Sequence, residues 1–293
     1  IMNISDLWPE SAVQLGILKK NSLKFGLLEK FELFLYRKSY AVSCQTEGIE
    51  TEIKKRVPYA RTFLLPNGVD LDFFKPAPKN ANFAKEYGIP ENSFIVGYAG
   101  NHGRSQALAQ ILEASKIIQS QNEQSINKKK IIFVFFGDGP EKAELIKKAR
   151  EMNLQNLKFF DSVPRDKMPQ LLSQFDIALV PLKDIPIFDG ARPSKIFELM
   201  AIGVPFIFCG KGEGANLAEK SGGAFNVPPE NPQLLVEKIL QTASMEKEQL
   251  NKMGQQASDF VRTFFDRRKI AQDFIEKCLT FPNIAENRKK ERA

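Results

Sequence analysis

Histidine and cysteine are scarce in this sequence of 293 residues, and each scarcity argues against a class of function. His102 is the only histidine, which removes mechanisms that pair histidine with a serine or cysteine nucleophile and any metal centre of several histidines. Cys44, Cys209 and Cys278 are far apart in sequence and form no Cys-x-x-Cys pair. The sequence therefore predicts neither a disulfide framework nor a metal site.

Long apolar runs are lacking as well. No run of about 18 uninterrupted apolar residues appears, so no transmembrane helix is predicted. The first residues do not follow the basic, apolar, small-residue order of a secretory signal. We therefore expect a cytoplasmic protein.

The composition is that of an ordinary globular protein, with 43% hydrophobic and 26% charged residues. The formal net charge of +7 favours a polyanion or an anionic membrane surface as partner. Basic clusters at residues 128–130 and 288–290 are read more simply as the mouth of a strand and a frayed terminus. No aromatic residues interleave with them, so we expect no nucleic-acid partner.

From about residue 94 onward, short runs rich in Ile, Val and Phe alternate with segments of helical period, which is typical of a parallel sheet covered by helices. The predicted strands are 94–99, 131–136, 157–160, 177–181, 205–209 and 224–227. The predicted helices are 106–119, 141–151, 166–174, 193–202, 214–220 and 231–243, followed by about 247–264 and 267–281. This pattern predicts an α/β fold with one complete doubly wound, Rossmann-like domain.

The first 75 residues carry fewer elements, which we predict as helix 22–38, strand 40–43, helix 47–56 and strand 62–65. That is too little for a complete doubly wound domain of about 100 to 200 residues, and the sequence opens with Ile1, so we expect an N-terminally truncated chain. We divide the chain into residues 1–75 (a partial domain with its linker), 76–264 (the Rossmann-like domain) and 265–293 (a helix and basic tail that pack back on the N-terminal part).

The segment 192–205 gives the strongest functional signal. Pro193 suits the first position of a helix and Gly203 suits the left-handed residue beyond its end. Ser194 and Lys195 stand four and three residues before Glu198, so the three side chains share one helix face. Free amides and a lysine at the N-terminus suit phosphate, and a carboxylate about one and a half turns further on suits hydroxyl groups. The alternative is a solvated Lys–Glu ion pair that contributes only tenths of a kcal/mol.

Two Gly-rich loops follow predicted strands, at residues 100–103 and 137–140. Ligands of doubly wound sheets lie beyond the carboxyl ends of the strands, where glycine lets backbone amides approach phosphate. Each loop alone is weak evidence, since many strand–helix turns contain glycine for steric reasons. Together with the helix at 193–202, they place three ligand-capable segments on one edge of the sheet.

A string of motifs resembles the C-terminal half of GT-B glycosyltransferases of family 4. It consists of Pro-Asn-Gly-Val-Asp at 66–70, Tyr-Ala-Gly-Asn-His-Gly at 98–103, Phe-Gly-Asp-Gly-Pro at 136–140, Asp-Ile-Ala-Leu-Val-Pro-Leu at 176–182 and Pro-Ser-Lys-Ile-Phe-Glu at 193–198. Asp-Leu-Trp-Pro-Glu-Ser at 6–11 is similar to the late N-terminal domain of the bacterial surface-polysaccharide branch, which includes N-acetyl-L-fucosamine transferases. The likeness covers nearly the whole chain.

The resemblance implies a nucleotide-sugar site in residues 76–264 and an acceptor domain in residues 1–75. It assigns the ribose to Glu198, the diphosphate to the amides around Ser194 and Lys195 and to the loop 100–103, and the base to the loop 163–165. The donor-binding residues that it predicts are Gly100, Asn101, His102, Gly103, Gly137, Val163, Arg165, Ser194, Lys195 and Glu198, with Lys195 and Glu198 also predicted as catalytic.

Three positions depart from the family pattern. Gly190, beside Asp189, occupies the place of the first glutamate of the paired-glutamate motif, eight residues before Glu198. Asn101 and Gln106 stand where many relatives carry a phosphate-binding Arg and Lys.

A cation elsewhere would have to compensate for those two departures. We hypothesise that Lys195, helped by Arg104 or Arg192, supplies the missing positive charge. Asp184 and Asp189 are read first as ordinary loop carboxylates, and facing the sugar is their alternative.

The resemblance implies transfer of a sugar from a nucleotide diphosphate, expected to be UDP, to a lipid-linked or oligosaccharide acceptor. We expect retention of anomeric configuration, no metal and no cofactor beyond the nucleotide-sugar substrate, and peripheral contact with the inner membrane. One alternative is a nucleotide-binding module without turnover. The other, a GT-B sugar-nucleotide epimerase, is disfavoured because such enzymes use histidines and carboxylates that this chain largely lacks.

Overall fold

The computed structural model describes residues 1–121, 125–126 and 129–281. Its N-terminal part is a parallel three-stranded sheet in the order β1-β2-β3. The strands are β1 (Met2–Ile4), β2 (Val42–Cys44) and β3 (Thr62–Leu64), and the helices are α1 (Glu10–Gln14), α2 (Leu23–Lys38) and α3 (Glu47–Arg56). The side chains of Ser22 and Thr46 accept hydrogen bonds from the first turns of α2 and α3, which fixes where these helices begin.

The second part alternates strands and helices. Its strands are β4 (Ser93–Ala99), β5 (Ser125–Ile126), β6 (Lys129–Phe136), β7 (Leu157–Phe160), β8 (Ile177–Pro181), β9 (Phe206–Cys209) and β10 (Ala224–Val227). Its helices are α4 (Phe83–Glu86), α5 (Ala109–Ser120), α6 (Lys142–Glu151), α7 (Met168–Leu172), α8 (Ser194–Ile202), α9 (Gly212–Lys220), α10 (Pro232–Ser244), α11 (Lys247–Phe264) and α12 (Arg267–Leu279). Short 3-10 turns lie at Arg104–Gln106, Arg165–Lys167 and Pro186–Gly190.

The order of the strands creates a switch point next to β4. The described sheet runs β10-β9-β8-β4-β6, with β7 parallel and β5 antiparallel along the far edge of β6. The chain therefore grows outward from β4 in one direction through β6 and β7, and in the other through β8, β9 and β10. A ligand cleft is expected where the two directions part, beyond the carboxyl ends of β4 and β8.

Both faces of this sheet are buried. Along β6, Ile132, Val134 and Phe136 pack into one hydrophobic cluster, while the residues between them pack into the cluster on the opposite face. Burial on both faces explains why the strands read as continuous apolar runs instead of alternating patterns. The predicted α/β, doubly wound architecture is confirmed.

Several predicted boundaries were wrong. The predicted helix 106–119 starts later, at Ala109, because Ala107 adopts a left-handed conformation with φ of 43° that interrupts a continuous helix. The predicted helix 166–174 is confined to α7, which follows a 3-10 turn and has Pro169 in its first turn. Sequence patterns missed β1, α1, α4 and β5, each of five residues or fewer and thus too short to show a period.

The C-terminal helices cover two different surfaces. Helix α11 packs on α8, where Gly254 is so close to Gly203 that a methyl group on Gly254 would overlap the Gly203 carbonyl oxygen. Helix α12 lies on the N-terminal part, with the Phe274 ring stacked on Phe63 at 6.0 Å. Residues 128 and 282–293, which include most of the basic clusters noted in the sequence, lie outside the described residues.

Candidate functional site

A cavity of about 410 Å³ opens at the switch point. The carboxyl end of β4 and the following Gly100–Asn101 turn form one wall, and the first turns of α8 form the other. The remaining lining residues are Gln106, Met168, Leu172, Phe175, Ala178, Leu179 and Leu199. The cavity thus has a polar mouth and an apolar floor.

Helix α8 is built to present its N-terminus to this cavity. Pro193 precedes it in an extended conformation, and no side chain caps its first turn. The first amides of a helix have no acceptor within the helix, so those of Ser194 and Lys195 are available to a ligand. At the other end, Gly203 has φ of 78° and its amide donates to Leu199 O at 2.9 Å, which ends the helix as the sequence predicts.

Lys195 is a half-buried cation that no carboxylate pairs with. Its Nζ donates to the Tyr98 hydroxyl at 3.2 Å and lies 4.3 Å from the centre of the Tyr98 ring. None of the ion pairs in the described part of the chain includes Lys195, so the sequence alternative of a Lys195–Glu198 ion pair is not observed. Burial lowers the pKa of Lys195 to about 8, although the negative charge of Glu198 raises it in part. Most Lys195 side chains are therefore charged at neutral pH.

Glu198 lines the same cavity one turn further along α8. Burial raises the pKa of its carboxyl, and the positive charges of Lys195, Arg165 and Arg267 oppose that rise. Arg165 lies with its guanidinium over the Phe73 ring at 5.6 Å. The cavity lining thus combines one carboxylate, Glu198, with one cation, Lys195, as the charge pattern of the sequence suggested, while Arg165 and Arg267 act on Glu198 from outside the lining.

The two Gly-rich loops pack backbone against backbone. Gly137 has φ of 144°, and a methyl group there would overlap the Gly100 carbonyl oxygen. The Gly100 amide donates to Phe136 O at 2.9 Å, which holds the two loops in this contact. A methyl group on Gly100 itself would come within 2.9 Å of Lys195 Nζ. Only Gly100 and Asn101 of these loops line the cavity, while Gly103 and Gly137 support it from behind.

The structure does not bring the His102 side chain to the cavity, although the sequence analysis placed it among the donor-binding residues. Its ring is fully buried, with centroids 5.8 Å from Tyr98, 5.9 Å from Phe135 and 6.3 Å from Phe159. Burial lowers its pKa to about 4, so it is neutral at physiological pH. Its backbone shapes the loop instead, because the His102 amide donates to Asp138 O at 2.8 Å.

The predicted base-reading loop lies beside the cavity and does not line it. Val163 borders a separate cavity of about 580 Å³, together with Tyr87 and Phe160. Sequence reasoning did not assign the apolar floor formed by Met168, Leu172 and Phe175, nor the role of Tyr98 behind Lys195. A tyrosine two residues before the Gly-rich loop, in an otherwise apolar strand, is the signal that could have pointed to Tyr98.

The charges that were expected to assist Lys195 have other partners or positions. The Arg192 guanidinium lies 2.7 Å from a carboxylate oxygen of Glu213, and Arg104 is exposed in a 3-10 turn. Asp184 accepts hydrogen bonds from Lys211 Nζ at 2.7 and 3.0 Å, in keeping with an ordinary loop carboxylate.

Two further cavities continue from the first one across the junction with the N-terminal part. A cavity of about 300 Å³ shares Gln106, Pro193 and Ser194 with it and reaches Asp6 and Asn67. A cavity of about 710 Å³ follows, between α1, α2, α3 and the 3-10 turn Pro186–Gly190. Within the described chain, the Gln106 Oε1 atom is buried without a hydrogen-bond partner where the first two cavities meet. The three cavities form a trough that crosses both parts of the molecule.

The fold and this cavity define an α/β protein with a ligand-sized site at the switch point of a parallel sheet. The site opens toward the N-terminal part of the chain. The profile of the family described as glycosyl transferases group 1 matches residues 79–260, which is more than half of the chain. The chain therefore belongs to the glycosyl transferases group 1 family.

Curated bacterial proteins named as glycosyltransferases are similar to this chain. The chain is 27% identical over 245 residues to the probable glycosyltransferase WbjE of Pseudomonas aeruginosa, in a match that covers 82% of this chain and 58% of WbjE. It is 29% identical over 190 residues to the putative colanic acid biosynthesis glycosyl transferase WcaI of Escherichia coli K12, covering 64% of this chain and 43% of WcaI. The chain thus spans about half the length of these relatives.

Solved structures share the fold. The Anabaena Alr3699/HepE structure in complex with UDP and glucose matches with a TM-score of 0.75 at 17% identity, over 96% of this chain and 71% of that chain. Sucrose-phosphate synthase of Thermosynechococcus elongatus matches with a TM-score of 0.73 at 18% identity, over 94% of this chain and 65% of that chain. These likenesses confirm the predicted GT-B type of fold.

Two observations on other classes of site apply to residues 1–121, 125–126 and 129–281 only. There, no group of three or more histidine, cysteine, aspartate or glutamate side chains is arranged to hold a metal ion. In the same residues, no helix is both long enough and apolar enough to cross a bilayer.

Proposed function

We propose that this chain carries the donor site of a glycosyltransferase, which transfers a sugar from a UDP-sugar to a saccharide or lipid-linked acceptor during bacterial surface-polysaccharide synthesis. The proposal rests on one observation: the Lys195 ammonium, which forms no ion pair within the described residues, lies beside the uncapped first turn of α8, and both face one cavity. Two such features attract a diphosphate. The complex of HepE with UDP and the naming of WcaI for colanic acid biosynthesis support the choice of donor and pathway class.

In the proposed reaction, Lys195 and the α8 amides neutralise the charge that develops on the departing diphosphate. Preorganised charge of this kind stabilises a transition state most in a site from which water is partly excluded. We assign the ribose hydroxyls to Glu198, whose carboxylate lies about one helical turn from Lys195 and therefore at a suitable distance from the diphosphate. Because protein cations supply the positive charge, we propose a metal-independent and cofactor-free reaction. Retention of configuration is proposed from the resemblance to family 4.

The trough beyond the donor cavity is the proposed path of the acceptor and of the transferred sugar. Gln106 is suited to the transferred sugar, because its unpartnered buried amide oxygen can accept a hydrogen bond from a hydroxyl group. Asp6 borders the same junction cavity from the N-terminal part. The larger cavity between α1, α2 and α3 is the proposed acceptor subsite.

Helix α2 supports a peripheral contact with an anionic membrane. Its outward face carries Leu23, Leu27, Phe31 and Phe34, each with half or more of its surface exposed. Exposed Lys24, Lys30, Arg37 and Lys38 lie on both sides of this stripe. An apolar stripe between basic residues is typical of helices that lie in a bilayer interface, which suits an enzyme acting on lipid-linked acceptors.

The alternative is a nucleotide-binding module without turnover. It is disfavoured, because the chain belongs to a transferase family and its relatives are named as transferases. Turnover separates the two readings. Release of UDP from a UDP-sugar only when membranes that contain acceptor are supplied is expected of the transferase. Binding of UDP with no such release is expected of the module.

Calorimetric titration with UDP and with GDP tests the donor site directly. We expect Lys195→Ala to weaken UDP binding about 10- to 100-fold, the range for loss of a hydrogen bond to a charged group. Lys211→Ala is the matched control, because Lys211 forms an exposed pair with Asp184 outside the cavity, and its UDP affinity should equal that of the parent. Equal affinity of Lys195→Ala and the parent would refute the assignment, and preference for GDP would correct the base.

A further inference from the structure

Tyr98 is the buried side chain that connects the loop after β4 to Lys195. It lies in β4, two residues before Gly100, and is completely buried. Its hydroxyl donates to the Asn101 carbonyl oxygen at 2.6 Å and accepts from Lys195 Nζ at 3.2 Å. One strand residue therefore contacts both the backbone of the candidate phosphate loop and the candidate phosphate-binding cation.

The direction of these hydrogen bonds is fixed by chemistry. A carbonyl oxygen only accepts and an ammonium group only donates, so the single phenolic proton of Tyr98 must point to Asn101. The lone pairs of the hydroxyl are then left for Lys195. The hydroxyl consequently stabilises the charged form of Lys195 and holds its Nζ against Gly100, where no side chain intervenes.

Few other groups act on the Lys195 ammonium. Glu198, on the same helix, raises its pKa through charge but forms no ion pair with it within the described residues. His102, in the loop after β4, is kept neutral by burial. Arg165 and Arg267 act on Glu198 from the loop after β7 and from the start of α12. Among the hydrogen bonds of the described chain, the Tyr98 hydroxyl is the acceptor that Lys195 Nζ uses.

We propose that Tyr98 is a positioning residue of the donor site, which keeps the Lys195 side chain charged and aimed into the cavity and anchors the Asn101 backbone opposite it. The proposal rests on the proposed function in that the anion facing Lys195 is taken to be the donor diphosphate. Tyr98 itself does not line the cavity, so it acts through Lys195 and the loop.

The test is Tyr98→Phe, which keeps the ring and removes the hydroxyl. Competitive acetylation followed by peptide mass spectrometry between pH 6 and 10 reports the titration of Lys195 without any ligand. We expect its midpoint to move to lower pH, because the charged amine loses its acceptor. In calorimetry at pH 8, UDP affinity should fall about tenfold, equivalent to about 1.4 kcal/mol. At pH 6.5 the loss should be smaller, since both proteins then carry a charged Lys195.

Tyr36→Phe is the matched control. Tyr36 is also buried and donates to Glu32 at 2.6 Å, but it lies in α2 of the N-terminal part. The control should lower thermal stability while leaving the Lys195 titration and UDP affinity unchanged. A Tyr98→Phe protein with the parental Lys195 titration would overturn the proposal, whatever its UDP affinity. If UDP binds neither protein while the titration still shifts, positioning by Tyr98 stands and the nucleotide assignment fails.

Discussion

Glu213 joins the two parts of the chain, and replacing it measures how strongly they are held together. Glu213 lies in the first turn of α9 and accepts a hydrogen bond from the Gly48 amide, in the first turn of α3, at 2.6 Å. Its other carboxylate oxygen lies 2.7 Å from Arg192, whose Nε is buried without a partner in the described structure. The carboxylate therefore stabilises the N-terminus of a helix across the junction and balances a partly buried cation.

The structure sets the size of the expected effect. A hydrogen bond to a charged acceptor contributes about 1.5 to 3 kcal/mol, and the ion pair is discounted because both side chains are about one-fifth exposed, at 21% and 17%. We expect Glu213→Ala to lower the free energy of unfolding by about 2 to 3 kcal/mol, or the melting temperature by roughly 5 to 10 °C. Glu213→Gln keeps an acceptor for Gly48 and loses only the charge, so it should cost about 1 kcal/mol.

Differential scanning fluorimetry and urea unfolding of the three proteins provide the measurement. Glu113→Ala is the control, because Glu113 forms an exposed pair with Lys148 and its loss should change the melting temperature by no more than about 2 °C. The reasoning is refuted if Glu213→Ala melts within the error of the parent. It is equally refuted if the Gln and Ala variants lose the same stability, since the helix contact would then contribute nothing.

Two further predictions concern the proposed donor cavity. UDP affinity should be highest below pH 7 and fall about tenfold between pH 7 and pH 9, because binding needs the charged form of Lys195 and burial lowers the pKa of Lys195 to about 8. Calorimetry across that pH range checks the prediction, and an affinity that does not change with pH would exclude Lys195 as the cation. Gly137→Ala should destabilise the protein by about 2 kcal/mol or more and weaken UDP binding, because the new methyl group would overlap the Gly100 carbonyl oxygen at a positive φ, whereas Gly26→Ala, in open space on α2, should be neutral or stabilising.

Much of the fold was accessible from the sequence because its central strands are buried on both faces. The strands at 157–160, 177–181 and 224–227 and the helix at 247–264 have the predicted bounds. Of these strands, 177–181 is buried along its whole length and reads as an uninterrupted apolar run, and a long helix repeats its period often enough to be recognised. Elements of two to five residues, such as β1 and β5, provide no such repeat.

Features of the candidate site that depend on local sequence could be predicted, whereas features that depend on contacts between distant residues could not. Ser194, Lys195 and Glu198 were grouped correctly on one helix face because helical spacing alone determines it. The burial of His102 was not accessible, because whether a loop side chain turns toward the core depends on Phe135 and Phe159 in neighbouring strands. The contact of Tyr98 with Lys195 joins residues 97 positions apart, which no local pattern reports.

The source of positive charge at the cavity has a mechanical consequence. The resemblance to family 4 places phosphate-binding cations in the loop after β4, where this chain has Asn101 and Gln106. Here the cation is Lys195, in the first turn of a helix whose opposite face is packed into the core through Ile196 and Met200. A loop cation can follow a ligand as it leaves, whereas a helix cation held by a buried tyrosine is fixed before the ligand arrives. Fixed charge loses little conformational entropy on binding, so in the proposed reaction this arrangement would favour stabilisation of the departing diphosphate over adaptability to different donors.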